Sequence, residues 1–299
     1  MNAESEARRL SHRGRYPEGV EGVDARYITL RSGLHVRVVE SGLRDSFPII
    51  LVPGWGCGAW IFHESMHPLA ACGFRAIAVE LKGHGFSDKP SASVEYSLES
   101  MRDHLLDIID ALELNRAGIV GHSMGAAIAA QAAAAAPGRI DAVVLAAPVG
   151  FAGVRGMGLF RFITPAFALR IFPYLASRLL IRGMLAVVYG SLRRPTTRDV
   201  EEFYAPVKTS GGTAGLRHLL HKFEWHSPFP ELAMPFMTIL GSEDVLSPES
   251  DRDRYEGGEL LVIRDAGHVL FDEAPDEINA ALCRFFGSNT SPYISMKHE

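Results

Sequence analysis

The chain has few cysteines. Only Cys57, Cys72 and Cys283 occur among its 299 residues. An odd number at scattered positions matches neither a disulfide framework nor the close spacing of metal ligands. We therefore expect unpaired thiols, as in a reducing compartment, and a cytoplasmic protein.

A secretion signal, a membrane span and an excess of positive charge are also missing. The polar N-terminus contains no apolar stretch like that of a secretory signal. The net charge of −5 provides no general attraction to nucleic acid. The longest uncharged stretch, residues 117–138, is interrupted by Gly-His-Ser-Met-Gly and then becomes rich in alanine. We interpret it as a strand, a tight turn and a buried helix rather than as a transmembrane segment.

Apolar runs and helical patterns alternate along most of the chain. Two β-rich runs flank Ser32-Gly33 and are typical of a hairpin. Continuous apolar runs then predict strands buried on both faces at 47–52, 75–80, 117–122, 141–147, 235–240 and 259–264. Helical periodicity occurs at 97–113, 124–136 and 274–286. The pattern predicts an α/β fold with a mostly parallel central sheet, helices on both faces and an antiparallel hairpin at its start.

One segment interrupts this alternation. Residues 151–230 contain no predicted strand, are apolar, and carry eleven Lys or Arg against four Asp or Glu. We interpret the segment as a helical insertion that divides the core into residues 23–150 and 231–287. Its positive charge suits an acyl carrier, another anionic partner or a membrane surface, or it is an ordinary solvated face. Residues 1–22 and 288–299 are polar, and we expect both to be loosely ordered.

The sequence LVPGWGCGAW, residues 51–60, has two competing interpretations. Gly54, Gly56 and Ala59 fit a dinucleotide-binding pattern, and Glu80 lies near the expected ribose-binding acid. However, Pro53 removes a backbone donor, Trp55 is bulky, and the preceding hairpin makes this the third strand. The alternative is a loop that supplies a backbone amide to a transient oxyanion.

A serine stands in a motif typical of nucleophiles. Residues 121–125 read Gly-His-Ser-Met-Gly, between a predicted strand and an alanine-rich helix. A sharp strand-to-helix turn needs small neighbours two residues before and after Ser123. A simple helix N-cap would also use serine, but it would not need the paired glycines.

A nucleophilic serine also requires a base and an acid that orients the base. Asp244 follows a late predicted strand, with Glu243 as its competitor, and His268 follows the last one. Either residue alone is more typical of an ordinary turn or surface position. Their order, Ser then Asp then His, favours a catalytic role.

Several segments together resemble the α/β-hydrolase superfamily over about residues 25–287. They are the 121–125 motif, ELKGHGFSDKP (80–90), AAAAPGRIDAVVLAAP (133–148), GSEDVLSP (241–248) and DAGHVLFDEAPDEIN (265–279). The resemblance implies an α/β-hydrolase fold with a helical cap at residues 151–230. It also implies Ser123 as nucleophile, Asp244 as orienting acid and His268 as base.

The resemblance further implies an oxyanion hole formed by the amides of Met124 and Trp55. Two positions depart from the family pattern. Pro53-Gly54 stands where His-Gly is usual, and Glu80 stands where Asp is usual. We interpret Glu80 as a structural residue that holds the loop beside it.

The expected activity is hydrolysis of a carboxylic ester or thioester through an acyl-enzyme, with no metal or organic cofactor. A serine nucleophile argues against the family's aspartate-dependent haloalkane dehalogenases and epoxide hydrolases. Three alternatives stay open. They are hydrolysis of a carbon–carbon bond in aromatic ring-cleavage products, a ligand receptor or signalling protein on the same fold, and the dinucleotide enzyme suggested by the glycine loop.

Overall fold

The computed structural model describes residues 14–149, 177–223, 230–247, 253 and 255–290. Eight strands form one sheet in the order β1-β2-β4-β3-β5-β6-β7-β8. Strand β2 pairs in antiparallel fashion with β1 on one side and with β4 on the other, and all other pairs are parallel. This confirms the predicted fold class. The strands are β1 Val23–Thr29, β2 His35–Ser41, β3 Phe47–Val52, β4 Phe74–Val79, β5 Ala117–His122, β6 Ile140–Ala146, β7 Phe236–Gly241 and β8 Glu259–Ile263.

Helices of the described residues cover both faces of the sheet. Short 3-10 turns lie at Ala59–Phe62 and Ser93–Tyr96. The α-helices are α1 His63–Ala71, α2 Leu98–Ala111, α3 Met124–Ala135, α4 Arg178–Val188, α5 Thr197–Val207, α6 Gly212–Lys222, the single turn α7 Leu270–Glu273, and α8 Pro275–Asn289. Within the described residues, no helix is long and apolar enough to cross a membrane. Residues 117–138 instead contain β5 and α3.

The central strands are apolar throughout because both of their faces are covered. Along β3, Ile49 and Leu51 belong to one buried cluster, and Ile50 and Val52 belong to the other. This alternation follows from the two-residue period of a strand. Helices α1 and α8 contribute to the first cluster, and α2 and α3 contribute to the second.

The region between β6 and β7 contains no strand among its described residues. Helices α4, α5 and α6 lie there. Residues 151–176 and 224–229 of the expected insertion lie outside the described residues.

Both ends of the described chain are more ordered than expected. Tyr16 is only 4% exposed; its amide donates to Glu202 of α5, and its carbonyl accepts from Arg37 of β2. At the other end, α8 continues to Asn289 and Thr290 is buried. Packing against distant elements orders these polar segments, and composition does not reveal such packing. The expected tail continues into residues 291–299, which lie outside the described residues.

The expectation of unpaired thiols is wrong for two of the three cysteines. Cys72 and Cys283 form a disulfide although 211 residues separate them. Cys72 follows the end of α1 and Cys283 lies in α8, and the packing of these helices brings the two Cα atoms to 6.1 Å. Cys57 is free and buried.

Candidate active site

Ser123 occupies the turn between β5 and α3 in a conformation unusual for a side chain. Its φ is +56° and its ψ is −121°, outside the regions that L-residues normally adopt. The turn is held because the Ser123 amide donates to the Ala146 carbonyl at 2.9 Å, and its carbonyl accepts from Ala126 at 3.0 Å. The strained backbone is therefore fixed by the neighbouring strand and by its own helix.

Close backbone contacts around the turn explain two glycines. A Cβ atom at Gly125 would lie 2.3 Å from the carbonyl oxygen of Val52. A Cβ at Gly54 would lie 2.8 Å from the Cβ of Ser123. Glycine at these positions lets α3 approach β3 and lets the loop after β3 lie against the serine.

Ser123, His268 and Asp244 come together although they are far apart in sequence. The Oγ of Ser123 lies 2.8 Å from Nε2 of His268, and Nδ1 of His268 lies 2.8 Å from Oδ2 of Asp244. All three residues are buried. A carboxylate can only accept hydrogen bonds, so Nδ1 carries the proton and Nε2 accepts from the serine hydroxyl. This is the tautomer that a general base requires.

Asp244 is held as an anion. Burial raises the pKa of its carboxyl, but the charge and hydrogen bond of His268 outweigh that effect, together with the amides of Leu246 and Ser247. The net result is a pKa below the ordinary value. Those two amides donate to Oδ1 at 2.8 and 3.0 Å, which leaves Oδ2 for the imidazole.

Glu243, the competing acid, points to other partners. Its side chain is exposed and accepts hydrogen bonds from the amide and hydroxyl of Ser191. Only Asp244 of the two contacts His268.

The residues expected to bind an oxyanion lie beside the serine. Met124 is the first residue of α3, and the first amides of a helix have no intrahelical acceptor. Trp55 lies in the loop after β3, and its indole nitrogen donates to the carbonyl of Leu216 in α6 at 2.9 Å. This bond fixes the Trp55 loop against α6, one of the helices between β6 and β7.

Glu80 is occupied by donors of the chain itself. It is 2% exposed and accepts hydrogen bonds from the amides of Ala59 and Phe86 and from the guanidinium of Arg37. It thereby ties the loop after β3 to the loop after β4. This arrangement fits a structural residue and leaves no obvious role as a ribose ligand.

Sequence reasoning missed His122. Its Nε2 lies 2.8 Å from the carbonyl oxygen of His268, so the ring donates a hydrogen bond to the backbone of the residue that contacts Ser123. Burial is the main cause that lowers the pKa of His122 to about 3, and the ring is therefore neutral near pH 7. His122 stands at a variable position of the serine motif, so the motif gives no reason to expect a role for it. Within the described ranges, no three His, Cys, Asp or Glu side chains group as a metal site would require.

Comparisons with known proteins identify relatives of this chain. A sequence model described as alpha/beta hydrolase fold matches residues 48–275. A dihydrolipoyllysine-residue acetyltransferase component of an acetoin cleaving system from Pseudomonas putida is 27% identical over 85% of this chain and 67% of its own. A 2-hydroxymuconate semialdehyde hydrolase from Pseudomonas sp. is 32% identical over 46% of this chain and 50% of its own. Among solved structures, an epoxide hydrolase from an endophytic Streptomyces superposes with a TM-score of 0.76 at 21% identity, covering 90% and 97% of the two chains. At that identity the likeness shows the fold alone.

Proposed function

Because the chain belongs to the α/β hydrolase fold family, we propose that it is a serine hydrolase of carboxylic esters or thioesters. One observation carries this proposal: the continuous hydrogen-bonded series from Ser123 through His268 to Asp244. A serine in this position favours acyl transfer over the aspartate-dependent chemistry of epoxide hydrolases.

The proposed reaction has two halves. Ser123 Oγ attacks the acyl carbonyl while His268 Nε2 takes its proton, and Asp244 stabilises the resulting imidazolium. His268 then protonates the leaving alcohol or thiol, and water hydrolyses the acyl-enzyme by the same proton path. The amides of Met124 and Trp55 are proposed to hold the oxyanion, at about 3 kcal/mol for each donor. The proposed reaction uses water as its co-reactant and needs no metal or organic cofactor.

A second candidate is hydrolysis of a carbon–carbon bond. The 2-hydroxymuconate semialdehyde hydrolase among the relatives is 32% identical over 143 residues, and it favours this reaction over the remaining alternatives. Loss of the absorbance of a dienoate ring-cleavage product, faster than any ester is hydrolysed, would support the second candidate.

The serine assignment is tested with Ser123→Ala and a panel of p-nitrophenyl esters of increasing acyl length. We expect kcat to fall by about a thousandfold or more, because a triad nucleophile acts as part of a unit. Ser91→Ala, at an exposed loop serine, is the matched control. Undiminished turnover by Ser123→Ala would contradict the proposal.

We propose that residues 151–230 act as a cap over a core of residues 23–150 and 231–287. The bond from Trp55 to Leu216 supports this, since it joins a helix of the insertion to the loop beside Ser123. An acyl carrier or other anionic partner at the cap has weaker support. Three of the cap's described arginines pair with carboxylates of the chain itself: Arg178 with Glu201, Arg193 with Asp199 and Asp272, and Arg198 with Glu202. Salt that inhibits turnover of acyl-carrier substrates but not of short neutral esters would support such a partner, and equal inhibition would oppose it.

A cytoplasmic location is also a proposal. The disulfide between Cys72 and Cys283 removes the cysteine argument for it. Alkylation of thiols in freshly lysed cells tests the location directly. Modification of both residues would support a reducing compartment, and their protection would oppose it.

A further inference from the structure

A buried carboxylate accepts hydrogen bonds from the amides of both residues that flank His268. Glu273 is the last residue of α7 and is 7% exposed. Its Oε1 accepts from the amide of Val269 at 3.1 Å, and both of its oxygens accept from the amide of Gly267, at 3.2 and 3.1 Å. The residues immediately before and after His268 are therefore bound to one side chain.

The same carboxylate also binds the inserted region. Oε2 of Glu273 accepts from the amide of Gly190, which follows α4, at 2.6 Å. Next to this residue, Tyr189 donates its hydroxyl to Asp272, the neighbour of Glu273. Glu273 is thus a shared acceptor for the His268 loop and for the segment that follows α4.

Direct backbone contact reinforces this junction. The amide of His268 donates to the Val188 carbonyl at 2.8 Å, and the amide of Ser191 donates to the Asp265 carbonyl at 3.0 Å. A Cβ at Gly190 would lie 2.4 Å from the amide nitrogen of Gly267. The two segments therefore lie backbone against backbone.

The surroundings of the Glu273 carboxyl act on its pKa in opposite directions. Burial raises the pKa of Glu273, and the charge of Asp244 adds to that effect, while the amides of Gly267, Gly190 and Val269 oppose them. A buried carboxylate needs hydrogen bonds to compensate for lost solvation. Here its described hydrogen-bond donors are three backbone amides, all at the junction between the inserted region and the His268 loop.

We propose that Glu273 is a positioning residue that sets the His268 imidazole against Ser123 by fixing the amides of Gly267 and Val269 to the inserted region. This inference rests on the proposed function, because it concerns the same serine and base. Glu273 acts through the backbone and touches neither the serine hydroxyl nor the imidazole in its described hydrogen bonds. The inserted region and the His268 loop are then held together by the Glu273 carboxylate.

The test measures how fast Ser123 reacts with a fluorophosphonate probe in the full-length protein. In this reaction Oγ bonds to phosphorus, fluoride leaves and His268 takes the hydroxyl proton. Glu273→Gln keeps the shape but turns an NH2 group toward at least one backbone amide. We expect the labelling rate per folded molecule to fall by about tenfold to a hundredfold, because a small displacement of a catalytic group strongly lowers the reaction rate. KM for a short p-nitrophenyl ester should change little.

Three further variants separate the possible outcomes. Glu277→Gln, at an exposed position of α8, should label at the native rate. Glu273→Asp keeps the charge, should give an intermediate rate, and replaces Glu273→Gln if that variant does not fold. A native labelling rate in folded Glu273→Gln or Glu273→Asp, even with a lowered Tm, would overturn the positioning role alone. Failure of the native protein to label at Ser123, with Ser123→Ala as the blank, would overturn the proposed function as well.

Discussion

At the scale of single residues, two adjacent acids provide a sharp test of the triad. Asp244 bonds His268, whereas its neighbour Glu243 is exposed and bonds Ser191. We expect Asp244→Asn to lower kcat by about 10³–10⁴-fold, because an amide there no longer fixes the imidazole tautomer. Glu243→Gln should lower kcat far less. Ester hydrolysis by the two purified variants measures this, and a larger loss in Glu243→Gln would contradict the assignment.

The sequence motifs predicted that Ser123, Asp244 and His268 come together, as they do, but not which residues hold them. Ser123 and His268 stand in recognisable turns, and their order along the chain carries information. The contacts of His122 and Glu273 go to backbone groups of the His268 loop. Backbone acceptors and donors have no residue identity, so no spacing in the sequence could reveal these contacts.

At the scale of elements, the disulfide joins the end of α1 to α8. In the chain-entropy account, a crosslink closing a loop of 211 residues strongly restricts the unfolded chain. We expect Cys72→Ser to lower the free energy of unfolding by about 2–5 kcal/mol. Ester turnover at 25 °C should be unchanged, because neither cysteine belongs to the hydrogen-bonded series of Ser123, His268 and Asp244. Urea unfolding of the native, reduced and Cys72→Ser proteins measures the effect. A reductant that destabilises Cys72→Ser as much as the native protein would contradict it.

The elements themselves were largely predictable, and their neighbours were not. The apolar runs located β3 to β8 to within a residue or so, because strands covered on both faces must be apolar throughout. The expected burial on both faces is wrong for β8, which lies at the edge of the sheet and is mostly exposed or half-buried. Helical periodicity likewise located α2, α3 and α8. The contact between α1 and α8, which brings Cys72 to Cys283, depends on the path of the chain through the whole sheet, and local patterns do not contain it.

At the scale of the whole molecule, three buried histidines link stability to pH. Burial is the main cause that lowers the pKa values of His84 to about 4 and of His104 and His122 to about 3. In the unfolded chain each histidine binds a proton near pH 6.5, whereas in the folded protein it does not. Their contribution to stability is therefore complete above pH 6.5 and is lost as the pH falls toward 4, by about 1.4 kcal/mol per pH unit for each histidine.

His104→Gln isolates one of these contributions. The His104 Nε2 accepts from the amide of Lys82 at 2.9 Å, and a glutamine oxygen can accept the same bond without titrating. We expect the slope of unfolding free energy between pH 6 and pH 4.5 to decrease by about 1.4 kcal/mol per pH unit. Denaturant titrations at several pH values measure the slope, and an unchanged slope would show that His104 is protonated in the folded protein.

The proposed reaction requires that Ser123 form an acyl-enzyme. The most direct measurement is mass spectrometry of the protein quenched in acid within milliseconds of mixing with a p-nitrophenyl ester, followed by peptide mapping. We expect a mass increase of one acyl group on the peptide that contains Ser123, formed together with a burst of p-nitrophenol and absent from Ser123→Ala. An acyl group on a different residue, or continued turnover by Ser123→Ala, would contradict it.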